Sequence, residues 1–364
     1  MEENILHKVV SGFCIEGDIV DIAPLGGGLI NDTYRVCTAG PCPDYVLQRI
    51  NNSIFKDVDL LQSNIDAVTG HIRSKLTLSG VGDIDRRVKR YIPVRNGGKS
   101  YLSDGGNYWR LSVFIDDAET CDTVDPEHSY CAGLAFGNFE AMLADIPCKL
   151  GETIPDFHNM ELRSAQLKQA VAEDRADRLS SPECREILEF LNAFDYEMCG
   201  AERMYREGLL PKRICHCDSK VNNILFDRNG EVLCVIDLDT VMPSFVFSDF
   251  GDFLRTGANT AAEDEPDLSK VSFRMDIFES FARGYLESTS SFLTDIERNN
   301  LAFGVLLFPF MQAVRFFTDY LNGDVYYKIS YPEHNLVRTR NQVTFFRKAR
   351  ENYEGMADII EKFK

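Results

Sequence analysis

The sequence is poor in basic residues for the acids it carries. Its 39 Lys and Arg stand against 57 Asp and Glu, a formal net charge of −18 and a pI near 4.8. That deficit excludes a chain that grips a nucleic-acid backbone by neutralising it, and it disfavours anionic lipid surfaces for the same reason. Long apolar runs are missing too. The longest, Leu301 to Met311, is interrupted by Pro309 and falls well short of the roughly 20 residues a membrane-spanning helix needs. The 11 cysteines contain no CxxC pair, which removes the usual zinc and dithiol spacings. The nearest candidate, Cys215-His216-Cys217, places neighbours on opposite sides of an extended chain, so reduced and mostly buried thiols are expected. No GxSxG elbow occurs, against an α/β-hydrolase, and Cys217-Asp218-Ser219-Lys220-Val221 fails the sulfatase pattern C-x-[PS]-x-R at Val221. The start, Met1-Glu2-Glu3-Asn4, lacks the positive charge and apolar block of a secretory signal; the expectation is a cytoplasmic protein.

What is present is a globular composition, 44% apolar, in a chain long enough for two lobes. Strand patterns run over Asp18 to Ala23, Asn31 to Cys37, Tyr45 to Ile50, Lys99 to Leu102 and Tyr108 to Val113. Between the third and fourth, Leu61, Ile65, Val68, Ile72 and Leu76 repeat with helical spacing. After Ile115 and an acidic stretch, helical patterns take over, at Ala132 to Leu143, at Gln166 to Leu179 and through Phe278, Phe281 and Tyr285. The fold expected is α+β and bilobal, with a β-meander plus helix over residues 1–115 and a larger, mainly helical lobe over 116–364.

The most informative segment is His216-Cys217-Asp218-Ser219-Lys220-Val221-Asn222-Asn223, which leads into a strand, Asp227-Arg228-Asn229-Gly230, and a second strand toward Asp237 and Asp239. Asn-Gly between apolar runs signals a hairpin. With Asn229-Gly230 as a two-residue turn, Asn223 falls opposite Ile236 and beside Asp237, and Asp218 enters from the preceding loop. An amide oxygen and a carboxylate are hard ligands for Mg2+, and a free carboxylate nearby can orient and deprotonate a hydroxyl attacking ATP. HxDxxxxN followed by a strand-borne Asp is the catalytic-loop arrangement of kinase-like folds. Gly26-Gly27-Gly28, between the first two strands, suits a loop over phosphates. Ser248-Asp249-Phe250-Gly251-Asp252 imitates a kinase metal motif, but Asp237 already fills that role; Asp249 and Asp252 are expected to brace the catalytic loop or to cap a helix.

At these residues the chain resembles the aminoglycoside phosphotransferase and choline kinase group, whose loop reads roughly HGDxxxxNIL followed by ID. More closely it resembles the bacterial N-acetylhexosamine 1-kinases. That likeness runs through Gly28 to Tyr34, Tyr45 to Phe55, Phe157-His158, Ile236 to Pro243, Asp319 to Asp324 and Tyr331 to Arg340. The resemblance implies a protein-kinase-like fold and transfer of phosphate from ATP to the anomeric hydroxyl of a free amino sugar, GlcNAc or GalNAc. It implies Asp218 as the base, Asn223 and Asp237 as Mg2+ ligands, Gly26, Gly27, Gly28, Val46 and Gln48 at the nucleotide, and Asn31, Arg315 and Tyr326 at the acceptor. Two departures stand out. Gln48 occupies the third-strand place where kinases carry a lysine, with Arg49 on the opposite face, and Leu29 stands where family members often have histidine. The rival readings are a kinase of the same fold acting on choline, homoserine or an aminoglycoside, and a non-catalytic pseudokinase. A choline cage wants aromatics, and the chain has one tryptophan, Trp109.

Overall fold

The structure is a computed structural model that describes residues 2–26 and 30–363; Gly27, Gly28 and Leu29 lie outside the described residues. Elements are numbered in chain order. The chain divides into two compact units, the first comprising Met1–Thr120, Asp145–Pro155 and Ile224–Met242, the second the remainder.

In the first unit, β1 (Ile19–Pro24), β2 (Asp32–Thr38), β3 (Tyr45–Ile50), β4 (Tyr101–Asp104) and β5 (Asn107–Val113) form an antiparallel sheet in the order β1-β2-β3-β5-β4. All five expected strands are found, with ends shifted by a residue or two. Alternation along β3 and β5 gives the sheet two chemically different faces. Tyr45, Leu47, Trp109, Leu111 and Val113 pack with Leu6, Val9, Val10 and Phe13 on and just after α1 (Glu2–Ser11), a helix not among the expected elements. Trp109 therefore belongs to the core. The other residues of each strand include Gln48 and its register partner Arg110. Helix α2 (Val58–Leu78) starts at Asp57, whose carboxylate accepts from Leu60 N at 2.9 Å, and buries Leu61, Ile65, Val68, Ile72 and Leu76 as expected. After α3 (Ile84–Arg87), an extended segment is stitched to β5 through Ile92 N→Leu111 O and Val113 N→Arg90 O. The hairpin of β8 (Ile224–Asp227) and β9 (Val232–Val235), edged by β6 (Ala118–Glu119), completes the unit. Its turn is longer than the two residues expected. The Asp227 carboxylate accepts from Asn229 N and Glu231 N, and Gly230 takes φ +81°. A register shift between Leu225 and Phe226 absorbs the extra residue, so the expected pairing, Leu225 with Cys234 and Ile224 with Val235, is still observed.

The second unit is mainly helical: α4 (Pro126–Leu143), α5 (Met160–Glu173), α6 (Pro182–Met198), α7 (Gly200–Arg206), α8 (Val246–Gly257), α9 (Met275–Thr289), α10 (Asp295–Asn299), α11 (Leu301–Leu321), α12 (His334–Glu351) and α13 (Tyr353–Lys362), with β7 (Arg213–Cys215) beside β10 (Met242–Ser244). Two expectations need correction. The helix read over Gln166 to Leu179 begins at Met160 and stops at Glu173, because Asp174 turns left-handed at φ 35° and its carboxylate accepts from Arg178 N and Leu179 N. Pro309 does not end the apolar stretch: α11 runs through it for 21 residues. Proline inside a helix costs about 3 kcal/mol, and here the burial of nearly the whole helix offsets it. By length and composition α11 could cross a membrane, but 83% of its apolar window is buried within the protein, the signature of a core helix. Phe278, Phe281 and Tyr285 of α9 form the expected buried face and meet Phe250 and Phe253 of α8, with Phe253 stacked on Phe281 at 4.1 Å.

Candidate active site

Each unit holds part of the expected machinery. In the first, Gln48 is anchored at both ends of its amide: Nε2 donates to Thr33 Oγ1 at 3.3 Å, and Oε1 accepts from Arg110 Nε at 3.0 Å. Arg110 is fully buried and forms an ion pair with Asp239. Burial alone would favour the neutral guanidine, but the charge of Asp239 outweighs it, so the Arg110 pKa rises. The second Asp239 oxygen accepts from Asn31 Nδ2 at 2.6 Å, and Asn31 Oδ1 accepts from Asn51 N at 2.9 Å. Asn31 is thus committed to holding Asp239. Arg49, on the opposite face as alternation requires, pairs with Asp32. In place of a third-strand lysine, a cation from β5 reaches across Gln48. Sequence reasoning missed Arg110; the available signal was a lone charge between Trp109 and Leu111 in a strand pattern. Asp237 adopts φ 58° just after β9, two residues beyond the Ile224–Val235 pair. Burial pushes the Lys89 pKa down to about 8, with Arg110 acting the same way and Asp237 against it. Val46 is nearly buried beside Gln48, Gly26 takes φ +68°, and Leu25 N→Thr33 O at 2.9 Å closes the loop's base. Ile115, Leu233 and Cys234, with Leu225 and Ile236 against them, make a separate apolar cluster.

In the second unit the loop after β7 is fixed from below. The Asp249 carboxylate on α8 accepts from His216 N at 2.6 Å and Cys217 N at 2.7 Å, and Ser219 Oγ donates to Asp249 O at 2.6 Å. Asp249 therefore braces the loop, whereas Asp252 lies 3.6 Å from Arg255. Behind Asp249, buried Glu140 accepts from Tyr285 Oη at 2.5 Å. Burial, then the charge of Asp249, raises the Glu140 pKa well above the usual range. Ligand-type atoms of Glu140, Cys215 and Asp249 lie within 4.8 Å of one another, but both Asp249 oxygens already accept backbone N–H groups, so the cluster is a brace. Cys217 sits at φ 63°, the conformation that favours the glycine of HGDxxxxN.

The brace leaves Asp218 pointing outward with 27% of its side chain exposed and ion-paired to Lys220. Burial would raise its pKa; the charge and hydrogen bond of Lys220, with His216 and Asn223, more than reverse this, so the carboxyl lies below its usual value. Asn223 Nδ2 donates to Asp218 O at 2.8 Å and to Asp218 Oδ2 at 3.2 Å. That fixes the amide orientation and leaves its oxygen as the metal-type donor. Lys220 escaped notice in the sequence, although a cation two residues after the candidate base was visible. Arg315 Nη1 donates to Gln312 at 2.8 Å, and its guanidinium lies 5.6, 5.9 and 5.6 Å from the ring centres of Phe157, Tyr326 and Tyr327. Tyr326 is 67% exposed. His158 stacks on Phe157 at 4.5 Å with its edge partner Phe308 at 4.9 Å. Burial, then the charges of Arg315 and Arg163, lower its pKa to about 3, while Asp218 acts the other way.

Residues 21–287 match the profile of the phosphotransferase enzyme family. The chain belongs to that family. Among solved structures, this phosphotransferase is similar to an aminoglycoside phosphotransferase from Alicyclobacillus acidocaldarius, at 12% identity and TM-score 0.59 over 96% of each chain. It is also similar to choline kinase from Cryptosporidium parvum, at 14% and 0.59 over 100% of this chain and 99% of that one. A spectinomycin phosphotransferase in complex with ADP and spectinomycin matches at 13% and 0.53, over 99% and 98%. At such identities the likeness shows the fold, the protein-kinase-like, aminoglycoside phosphotransferase type, as the catalytic-loop resemblance implied.

Proposed function

We propose that this phosphotransferase is an ATP- and Mg2+-dependent kinase that phosphorylates the anomeric hydroxyl of an N-acetylhexosamine, GlcNAc or GalNAc, to the sugar 1-phosphate. The observation that carries the reading is Asp218, held ionised by Lys220 and bonded to the amide nitrogen of Asn223. The sugar assignment rests on the sequence likeness at Phe157-His158 and the two C-terminal runs.

Asn223 would supply an amide oxygen and Asp237 a carboxylate, hard donors of the kind Mg2+ takes. Bound there, the ion would neutralise charge on the ATP phosphates. Asp218 takes the proton of the anomeric hydroxyl as that oxygen forms its bond to the γ-phosphorus, and the bond from phosphorus to the β–γ bridging oxygen breaks to release ADP. Lys220 keeps Asp218 ionised and offers an ammonium to the transferring phosphoryl group. The Ile115, Leu225 and Ile236 surface would receive the base, with Gly26 to Gly28, Val46 and Gln48 around the nucleotide. Arg315 and Tyr326 would line the sugar, and Asn31 acts by holding Asp239. The spectinomycin enzyme's ADP complex supports a nucleotide co-substrate, and 11 free thiols suit a reducing, cytoplasmic setting.

Asp218→Asn should abolish formation of the anomeric phosphate, followed by phosphorus NMR with Mg-ATP and a panel of sugars, choline and aminoglycosides, while ATP binding persists. Turnover near that of the parent would sink the assignment.

A further inference from the structure

The loop from Gly323 to Glu333, between α11 and α12, exposes most of its apolar side chains, Val325 and Tyr326 above all, so burial of those side chains does not hold it. At its first turn the backbone is gathered on one carboxylate. Asp319, 4% exposed near the end of α11, accepts on Oδ1 from Val325 N at 3.0 Å and Tyr326 N at 2.8 Å, and on Oδ2 from Tyr327 N at 3.0 Å. Asn335 Nδ2 on α12 donates to the same Oδ2 at 2.9 Å and to Asp324 Oδ1 at 2.8 Å, while Arg178 Nη1 donates to Asp324 Oδ2 at 2.6 Å. Three consecutive N–H groups converging on one carboxylate fix the backbone of 325–327, and with it the direction in which Tyr326 leaves the chain. Local helix stability does not account for an acid here. Asp319 lies in the last turn of α11, where the helix dipole disfavours an anion. It also follows Arg315 by four residues, the spacing of a same-face ion pair, yet Arg315 donates to Gln312 and both Asp319 oxygens are given to the loop and to Asn335. One face of α11 thus carries a guanidinium and the anchor of the tyrosines beside it. The ring centres of Tyr326 and Tyr327 lie 5.9 and 5.6 Å from the Arg315 guanidinium, and Tyr327 packs on Phe316 at 4.7 Å.

We propose that Asp319 is a positioning residue for the acceptor site, setting Tyr326 against Arg315 before an acceptor arrives, so that this loop is a preformed wall and not a lid that closes. The proposal rests on the reading that Arg315 and Tyr326 line the acceptor. With its oxygens taken up by the loop, Asp319 acts on the acceptor only through Tyr326.

Asp319→Asn keeps the shape of the side chain but replaces one accepting oxygen with an NH2 group that faces other N–H groups. In that variant the KM for N-acetylglucosamine should rise roughly tenfold, while kcat and the KM for ATP stay within about twofold of the parent. A variant that is merely less stable would lose kcat through loss of active protein and leave both KM values alone. Tyr326→Ala should raise the same KM, and adding Asp319→Asn to it should raise it little further, because the two residues act as one unit. Hydrogen exchange read by mass spectrometry tests the loop without any substitution: the amides of 325–327 should exchange slowly in the free protein and no slower with N-acetylglucosamine bound, and this measurement decides the proposal if Asp319→Asn does not fold. An acceptor KM unchanged in Asp319→Asn, additive effects in the double variant, or protection of 325–327 that arises only with the sugar each overturns the proposal and leaves the kinase reading intact. If choline or an aminoglycoside is the preferred acceptor, the sugar reading fails, and the KM for that acceptor decides the proposal by the same split. If protein that binds ATP phosphorylates no acceptor, both fail.

Discussion

Cys217 shows how a single backbone angle constrains chemistry. At φ 63° it sits where an L side chain is strained, yet its N–H must point at Asp249 to hold the loop. Cys217→Gly should keep activity and stability to within about 1 kcal/mol, whereas Cys217→Val, branched at Cβ, should lower the melting temperature and the rate together; thermal melts and acceptor assays check both. Arg110 is the opposite case, a charge that cannot be spared. Arg110→Met leaves Asp239 buried and unpaired and should cost about 3–5 kcal/mol in urea unfolding, freeing Asn31 and Gln48 as well. Residue types and spacing are what put Asp218, Asn223 and Asp237 forward from the sequence as the proposed base and metal ligands, because they belong to one chemistry. Arg110 and Lys220 were not legible, since their meaning depends on which acid the fold sets beside them.

At the scale of elements, α8 matters most because it carries the brace. Its depth is set by a glycine crossing: a Cβ on Gly251 would meet Gly304 O at 2.3 Å, and one on Gly304 would meet Phe247 O at 2.5 Å. Gly304→Ala should push α8 off α11 and displace Asp249, seen as loss of both stability and turnover. Glu140 supports the same helix from α4. Its folded pKa is raised, so it binds its proton more tightly folded than unfolded; the stability it contributes is present below its unfolded value and is lost as pH rises through its folded value. Melting temperature should therefore fall with alkalinity in the parent and fall less in Glu140→Gln, which keeps a neutral hydrogen-bonding group there. Period and turn chemistry made β1 to β5, α2 and the hairpin register readable. The end of α5 was not, because Asp174 terminates it through hydrogen bonds that a run of helical spacing does not reveal, and α11 was cut short because burial tolerates Pro309.

For the whole molecule, 18 uncompensated negative charges repel one another across the folded surface. Raising sodium chloride from about 0.02 M to about 0.3 M shortens the screening length several-fold, and the melting temperature should rise; a fall would mean that surface ion pairs such as Lys8–Asp104 and Lys168–Asp195 outweigh the net repulsion. The charge excludes partners without naming the reaction, which is why composition left the acceptor open. The Asp249 brace has a further consequence, for hydrogen exchange. The His216 and Cys217 amides belong to a loop between strands, yet both residues are buried and both N–H groups end on a carboxylate inside a helix. Such protons exchange with deuterium only when α8 lifts away, so they should be among the slowest in the chain and should report its largest opening. The segment that carries the proposed base would then count, in exchange kinetics, as part of the rigid core.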